Sequence, residues 1–95
     1  MNTNELVLWI KRLISENKID LFYNNKLWKK KREKILKKDH YECLMCKEKG
    51  VLTKANIVHH INNLRDNPAL ALSKFYIDEN GKIQRNLISV CFNCH

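Results

Sequence analysis

The four cysteines of this chain fall into two pairs, Cys43-x-x-Cys46 and Cys91-x-x-Cys94, with 44 residues between the pairs. A Cys-x-x-Cys turn brings two sulfurs to one side at a spacing that suits tetrahedral zinc, with Zn–S of about 2.3 Å, and two such turns supply four thiolates and a closed structural site. No cysteine is left over and no coordination position stays open, so the zinc is assigned to structure rather than to catalysis. The rival reading is a pair of redox or disulfide sites, which suits an oxidising compartment better than the cytosol. The intervening segment is longer than the loop of a short zinc ribbon. The metal is therefore expected to pin two distant parts of the chain together and to enclose everything between them.

Such a staple matters because 95 residues make about one domain with a small core, and short chains often need a metal or disulfides to make up for the little apolar surface they bury. Hydrophobic residues at 44% and charged residues at 29% exclude a disordered tail, a collagen-like fibre and a coiled coil as descriptions of the whole chain. No apolar run approaches the roughly 18 residues of a membrane span, and Met1-Asn2-Thr3-Asn4-Glu5 lacks the basic start of a signal peptide. A cytoplasmic protein is expected, in the host cytoplasm if the gene is carried by a phage or prophage. The net charge of +8 is concentrated: residues 26–38 hold eight basic residues against one acid and account for +7. A block of this kind is the electrostatic footprint of a polyanion-binding surface, most commonly for nucleic acid, or else a solvated helix face.

Leu6, Trp9, Ile10, Leu13 and Ile14 follow the i, i+3, i+4, i+7, i+8 template and predict a helix from about Glu5 to Glu16, capped by Asn4 and ended by Asn17. Val7 and Leu8 widen its apolar surface beyond one stripe, which points to burial on two sides or to a partner chain. A polar connection over 17–25 leads to Asn25, a good cap for a second helix over Lys26–Lys38 whose buried face is Trp28, Ile35 and Leu36, with Arg32 between them. Further on, Ile57 to Ile61 reads as extended, Pro68 opens a short helix through Leu72, and Asp78-Glu79-Asn80-Gly81 marks a hairpin between 75–77 and 82–84. Residues 86–90 read as a strand running into Cys91. The division expected is an amphipathic helix and linker over 1–21, followed by a domain over 22–95. The segment between Asp66 and Arg85 is a substrate-facing insertion or only a loop.

Inside the cysteine frame stand Val58-His59-His60-Ile61, then Asn86, with His95 directly after the last cysteine. His40, isolated behind the basic helix, reads as a surface residue. Together with Trp28-x-x-x-Arg32, Cys43-x-x-Cys46 and the run from Asn86 through Cys91-x-x-Cys94-His95, these residues resemble the HNH endonucleases over roughly Phe22 to His95. The resemblance implies an α+β fold, a small zinc-stapled ββα-metal nuclease domain preceded by two helices. It implies that His60 is the general base, that Asn86 braces the loop holding it, and that His59 and His95 bind a catalytic divalent metal. Many members of the family have aspartate where this chain has His59. Imidazole suits zinc or nickel and carboxylate suits magnesium or manganese, so Mg2+, Mn2+, Ni2+ and Zn2+ all stay open. The family continues past the position of His95 into the helix of its ββα unit.

The chemistry is consistent with that resemblance. Phosphodiester hydrolysis needs a base to activate water and a cation to stabilise charge on the phosphoryl and leaving oxygens. Histidine, with an ordinary pKa of about 6.5, is partly neutral at working pH and can take a proton. Neighbouring side chains of a regular strand point to opposite faces, so His59 and His60 are expected to share one centre only if the strand ends or distorts at the pair. The reading is a metal-dependent DNA endonuclease of little sequence specificity, held on phosphates by Lys29, Lys30, Lys31, Arg32, Lys34, Lys37 and Lys38. The alternative is a zinc-knuckle module or degenerate nuclease that binds nucleic acid without cutting. The first helix raises a third possibility, a subunit of a phage packaging or other assembly.

Overall fold

A computed structural model describes residues 1–95. Helix α1 runs Thr3–Ser15, two residues earlier than the periodicity suggested, because Asn2 rather than Asn4 is its cap: the Asn2 side-chain oxygen accepts the Glu5 N–H at 2.9 Å. Asn17 follows it with φ of 56°, the left-handed backbone that asparagine tolerates at a helix end. The expected polar connection holds a single helical turn, α2 (Asp20–Tyr23), whose Phe22 is buried. That one apolar anchor is too short a signal for periodicity to detect. Helix α3 (Lys26–Lys38) has the expected bounds, with Asn25 accepting the Leu27 N–H at 2.8 Å and Trp28, Ile35 and Leu36 buried. After it, His40 and Tyr41 both adopt φ near 56–57° and turn the chain sharply into the first cysteine pair.

Helix α4 (Leu44–Glu48) starts at Cys43. Strand β1 (Ile57–His60) pairs antiparallel with β4 (Leu87–Val90), with Ile57 opposite Val90 and His60 opposite Leu87. Strands β2 (Phe75–Ile77) and β3 (Ile83–Arg85) form the separate hairpin expected around Asn80-Gly81, where Gly81 has φ of 77°. The helix expected from Pro68 is a shorter 3-10 turn, Pro68–Leu70, and another spans Phe92–Cys94. Every residue of β4 is buried, which explains its nearly continuous apolar sequence. Its Ser89 is accommodated because the N–H donates to Asp39 Oδ2 at 3.1 Å.

One core joins Leu6, Ile10 and Leu13 of α1 to Phe22, the apolar face of α3, Val58 of β1 and Leu87, Ile88 and Val90 of β4. Leu8 is left exposed. An ion pair ties α3 to the sheet: Arg85 grips the buried Asp39 carboxylate with two hydrogen bonds of 3.0 Å and donates a third, of 2.8 Å, to the Leu87 carbonyl. Burial raises the Asp39 carboxyl, but hydrogen bonds from Arg85 and Ser89 outweigh it and hold the group below the ordinary carboxylate range. No helix is long and apolar enough to cross a membrane.

Candidate active site and metal cage

The two Cys-x-x-Cys turns are brought together by α4 and the end of β4. Cys43 caps α4, its sulfur accepting the Cys46 N–H at 3.5 Å. Cys91 opens the last 3-10 turn. All four sulfurs lie within 4.8 Å of one another. The Cys46 sulfur is 3.8 Å from that of Cys91 and 3.6 Å from that of Cys94. A tetrahedral site with Zn–S of about 2.3 Å has edges of roughly 3.8 Å, so the donor set fits such an ion. As bare thiols the group divides against itself. Burial opposes ionisation of Cys43, yet hydrogen bonds led by the Cys46 N–H bring it down to about 6. Cys94 is pushed up to about 12 by hydrogen bonding to Cys46 and then to Cys91 and Cys43. A bound dication lets all four sulfurs ionise together.

Strand β1 carries the histidine pair, and it does not distort there: the ladder with β4 runs through both residues, and His60 is its last position. The two rings accordingly take different neighbours. His60 stacks on Trp28 at 4.8 Å between centroids and 20° between planes. It ends a column of aromatic rings, Trp9, Phe22 and Trp28, that links α1, α2 and α3 to β1. His59 faces His95, the rings standing perpendicular with centroids 5.9 Å apart. Divergent neighbours do not separate the pair from a common space. His59, His60 and His95 all line one cleft of about 600 Å³, together with Tyr23, Arg32 and Arg65.

His60 Nε2 lies 2.9 Å from the Ala71 carbonyl oxygen. A carbonyl only accepts, so Nε2 carries the proton and Nδ1 is the ring's basic atom. Burial lowers the His60 pKa below its ordinary value, the Ala71 hydrogen bond opposes this, and the charge of His59 adds to it. Burial, followed by the charge of His95, lowers His59 as well. Both imidazoles are therefore held in the neutral form, which takes protons and ligates metals.

Asn86 is fully buried and uses every polar atom. Its side-chain oxygen accepts from the Asn62 N–H at 3.1 Å and the Asn62 side-chain amide at 2.9 Å, and its amide donates to the Leu70 and Ser73 carbonyls, both at 2.8 Å. Its backbone oxygen accepts the Ile61 N–H at 2.7 Å and its N–H donates to the Lys74 carbonyl at 2.7 Å. One residue thus ties the bend after His60 to the segment leading into β2. His40 is exposed, as expected.

No protein-family model and no curated protein matches the chain. Among solved structures it is similar to the crystal structure of the deep-sea thermophilic bacteriophage GVE2 HNH endonuclease with manganese ion, at 31% identity and a TM-score of 0.66, over 84% of this chain and 76% of that one. This chain belongs to the HNH endonuclease family. Its function class is accordingly that of a nuclease, and its antiparallel β1–β4 ribbon with the flanking cysteine cage belongs to the fold of an HNH endonuclease.

Around the HNH site, Lys29, Lys30, Lys34, Lys37 and Lys38 of α3 are exposed, while Lys31 and Arg32 are half-buried. None of the seven makes an ion pair. Arg32 donates instead to the Asn56 carbonyl at 2.5 Å and faces the cleft. Sequence patterns did not single out Arg65, Tyr23 or Asn62. Arg65 and Asn62 lie in the irregular stretch after β1, where no periodicity marks an inward side chain, and Tyr23 belongs to the single turn α2.

Proposed function

We propose that this HNH endonuclease is a metal-dependent DNA endonuclease that hydrolyses phosphodiester bonds with His60 as the general base. The observation that carries the reading is the Ala71 hydrogen bond to His60 Nε2, in a cleft that also contains His59 and His95. That bond commits Nδ1 to proton acceptance, and stacking on Trp28 fixes the ring plane. Nδ1 takes a proton from water, and Asn86 holds the bend after β1 so that the imidazole keeps its orientation. His59 and His95 would hold a divalent metal, and two imidazoles suit zinc or nickel better than magnesium. When bound, such an ion supplies Lewis-acid stabilisation of phosphoryl and leaving-group oxygens. The four-cysteine cage takes zinc and serves the fold.

Arg32 and Arg65 bring positive charge to the cleft, and the unpaired lysines of α3 extend it along the helix. Such contacts hold phosphates without reading bases, so low sequence specificity follows. The test is nicking of supercoiled plasmid with a panel of divalent metals by wild type and His60→Ala. Wild type is expected to nick only with added metal, and His60→Ala to lose at least about 100-fold in rate, as expected for loss of a general base. Undiminished nicking by the variant, or binding with no nicking under any metal, refutes the reading.

A further inference from the structure

The hairpin segment between the bend after His60 and Asn86 carries a charge arrangement that the cleft chemistry does not use. The ring of Phe75, at the start of β2, is 45% exposed. Two ammonium groups converge on it: Lys38 Nζ lies 5.6 Å and Lys74 Nζ 5.4 Å from its centroid. Lys38 ends α3 and Lys74 precedes β2, so two separate elements supply the charges. Neither makes an ion pair, nor does Lys31 one helical stretch away.

Like charges on long flexible stems ordinarily spread into solvent. Here the ring's negative face attracts both, and the backbone allows Lys74 little retreat. The Lys74 carbonyl is held by the N–H groups of Asn86 at 2.7 Å and Leu87 at 3.3 Å. The crowding shows in its chemistry. Hydrogen bonding with Lys38, some loss of hydration and the charges of Lys38, Arg85 and Lys31 push the Lys74 ammonium down to about 8. The acids nearby in sequence do not relieve it. Asp39 is committed to Arg85, and the Asp78 carboxylate is taken by the N–H groups of Asn80 and Lys82 and by Gln84. Neither carboxylate is free to neutralise the cluster.

We propose that Lys38 and Lys74, gathered over Phe75 with Lys31 behind them, form a binding site for a backbone phosphate of DNA outside the histidine cleft. None of these residues lines that cleft. The inference rests on the reading of DNA as substrate. It gives the hairpin segment a function: Asn86 ties both the bend after His60 and the carbonyl of Lys74, so a phosphate held at Lys74 sets the strand's position relative to the base.

The experiment is fluorescence anisotropy of a labelled DNA duplex titrated with the full chain, without added divalent metal, across a salt series. One phosphate contact contributes about 0.9 to the slope of log affinity against log salt. Lys74→Ala is expected to lower that slope by about 1 and to weaken binding roughly three- to tenfold near 0.1 M salt. Lys74→Arg should retain the wild-type slope, and Phe75→Leu should lose roughly two- to fivefold by releasing the ammonium groups. Wild-type affinity and slope in Lys74→Ala would overturn the site. So would an equal loss in Lys11→Ala, which removes the same charge from α1, or displacement of the duplex by millimolar inorganic phosphate, which would assign the site to a free anion. Nicking with an unaffected Lys74→Ala removes this site and leaves the nuclease. Lys74-dependent binding without nicking removes the nuclease reading and leaves the site.

Discussion

Asn86 offers the sharpest test of how the bend after His60 is built, because its buried amide can be changed to a carboxyl without changing its shape. In Asn86→Asp one oxygen still accepts from Asn62, while the other replaces an amide nitrogen lying 2.8 Å from both the Leu70 and Ser73 carbonyls. Protonated, the new group donates to one carbonyl and loses one hydrogen bond, at about 1 kcal/mol. Ionised, it sets a carboxylate against two carbonyl oxygens in a fully buried position, which raises its pKa, by up to roughly 3 units for a group this buried. A raised carboxyl pKa means that the folded state binds more protons than the unfolded chain, so stability falls as pH rises from the unfolded value of about 3.9 to the folded one. At about 1.4 kcal/mol per pH unit, the deficit relative to wild type is about 3 kcal/mol near pH 5.5 and about 5 kcal/mol near pH 7. Asn86→Ala behaves differently. It strips the partner from the Ser73 carbonyl, the Asn62 N–H and the Asn62 side-chain amide, whereas the Leu70 carbonyl keeps the Ser73 N–H. The two backbone groups cost about 2–6 kcal/mol together, the half-buried Asn62 amide being able to turn to water, and the cost does not depend on pH. Urea unfolding of both variants and wild type in excess zinc, compared at each pH so that thiolate protonation cancels, checks this. Parallel pH curves for wild type and Asn86→Asp, or an Asn86→Ala deficit below about 1 kcal/mol, would refute the argument.

Asp39→Asn leaves the Arg85 guanidinium facing an uncharged amide and is expected to cost about 2–4 kcal/mol in urea unfolding, since breaking a largely buried pair strands one charge. The Asp39 carboxyl titrates below its ordinary 3.8, so its stabilisation is complete above that value and is lost only as pH falls below it. The Asp39→Asn deficit should therefore stay flat between about pH 6 and 8, where that of Asn86→Asp grows. If the cage holds a structural metal, chelation should unfold the domain, because such an ion supplies folding free energy. Circular dichroism during titration with a strong zinc chelator should show a cooperative loss of helix that added zinc reverses. A chain that keeps its helices with no metal bound would remove the structural role of the cage.

What could be read from the sequence and what could not divide along the range of the interactions involved. The cysteine turns, the Asn25 cap and the Trp28, Ile35, Leu36 face are local patterns, and each stands where its spacing put it. The Asn2 cap lay two residues from the expected Asn4 because both asparagines precede the same apolar stripe, and only hydrogen-bond geometry chooses between them. Turn α2 is held by one buried ring, Phe22, whose partners Trp9 and Trp28 come from other helices, so no periodicity could announce it. Asp39 and Arg85 are 46 residues apart, and nothing near either names the other. The histidine pair meets the expectation that the strand ends there, His60 being the last paired residue of β1. Adjacent side chains in a strand do diverge, and His59 and His60 take different neighbours as the rule requires. The rule fixes directions from the strand, however, and not the width of the space they border. Here His60 is the last paired residue, the chain bends at Ile61, and all of β1, both histidines included, lines the cleft. Divergent side chains can thus border one cleft, and an isosteric change at Asn86, which holds the bend after His60, tests the arrangement without touching either histidine.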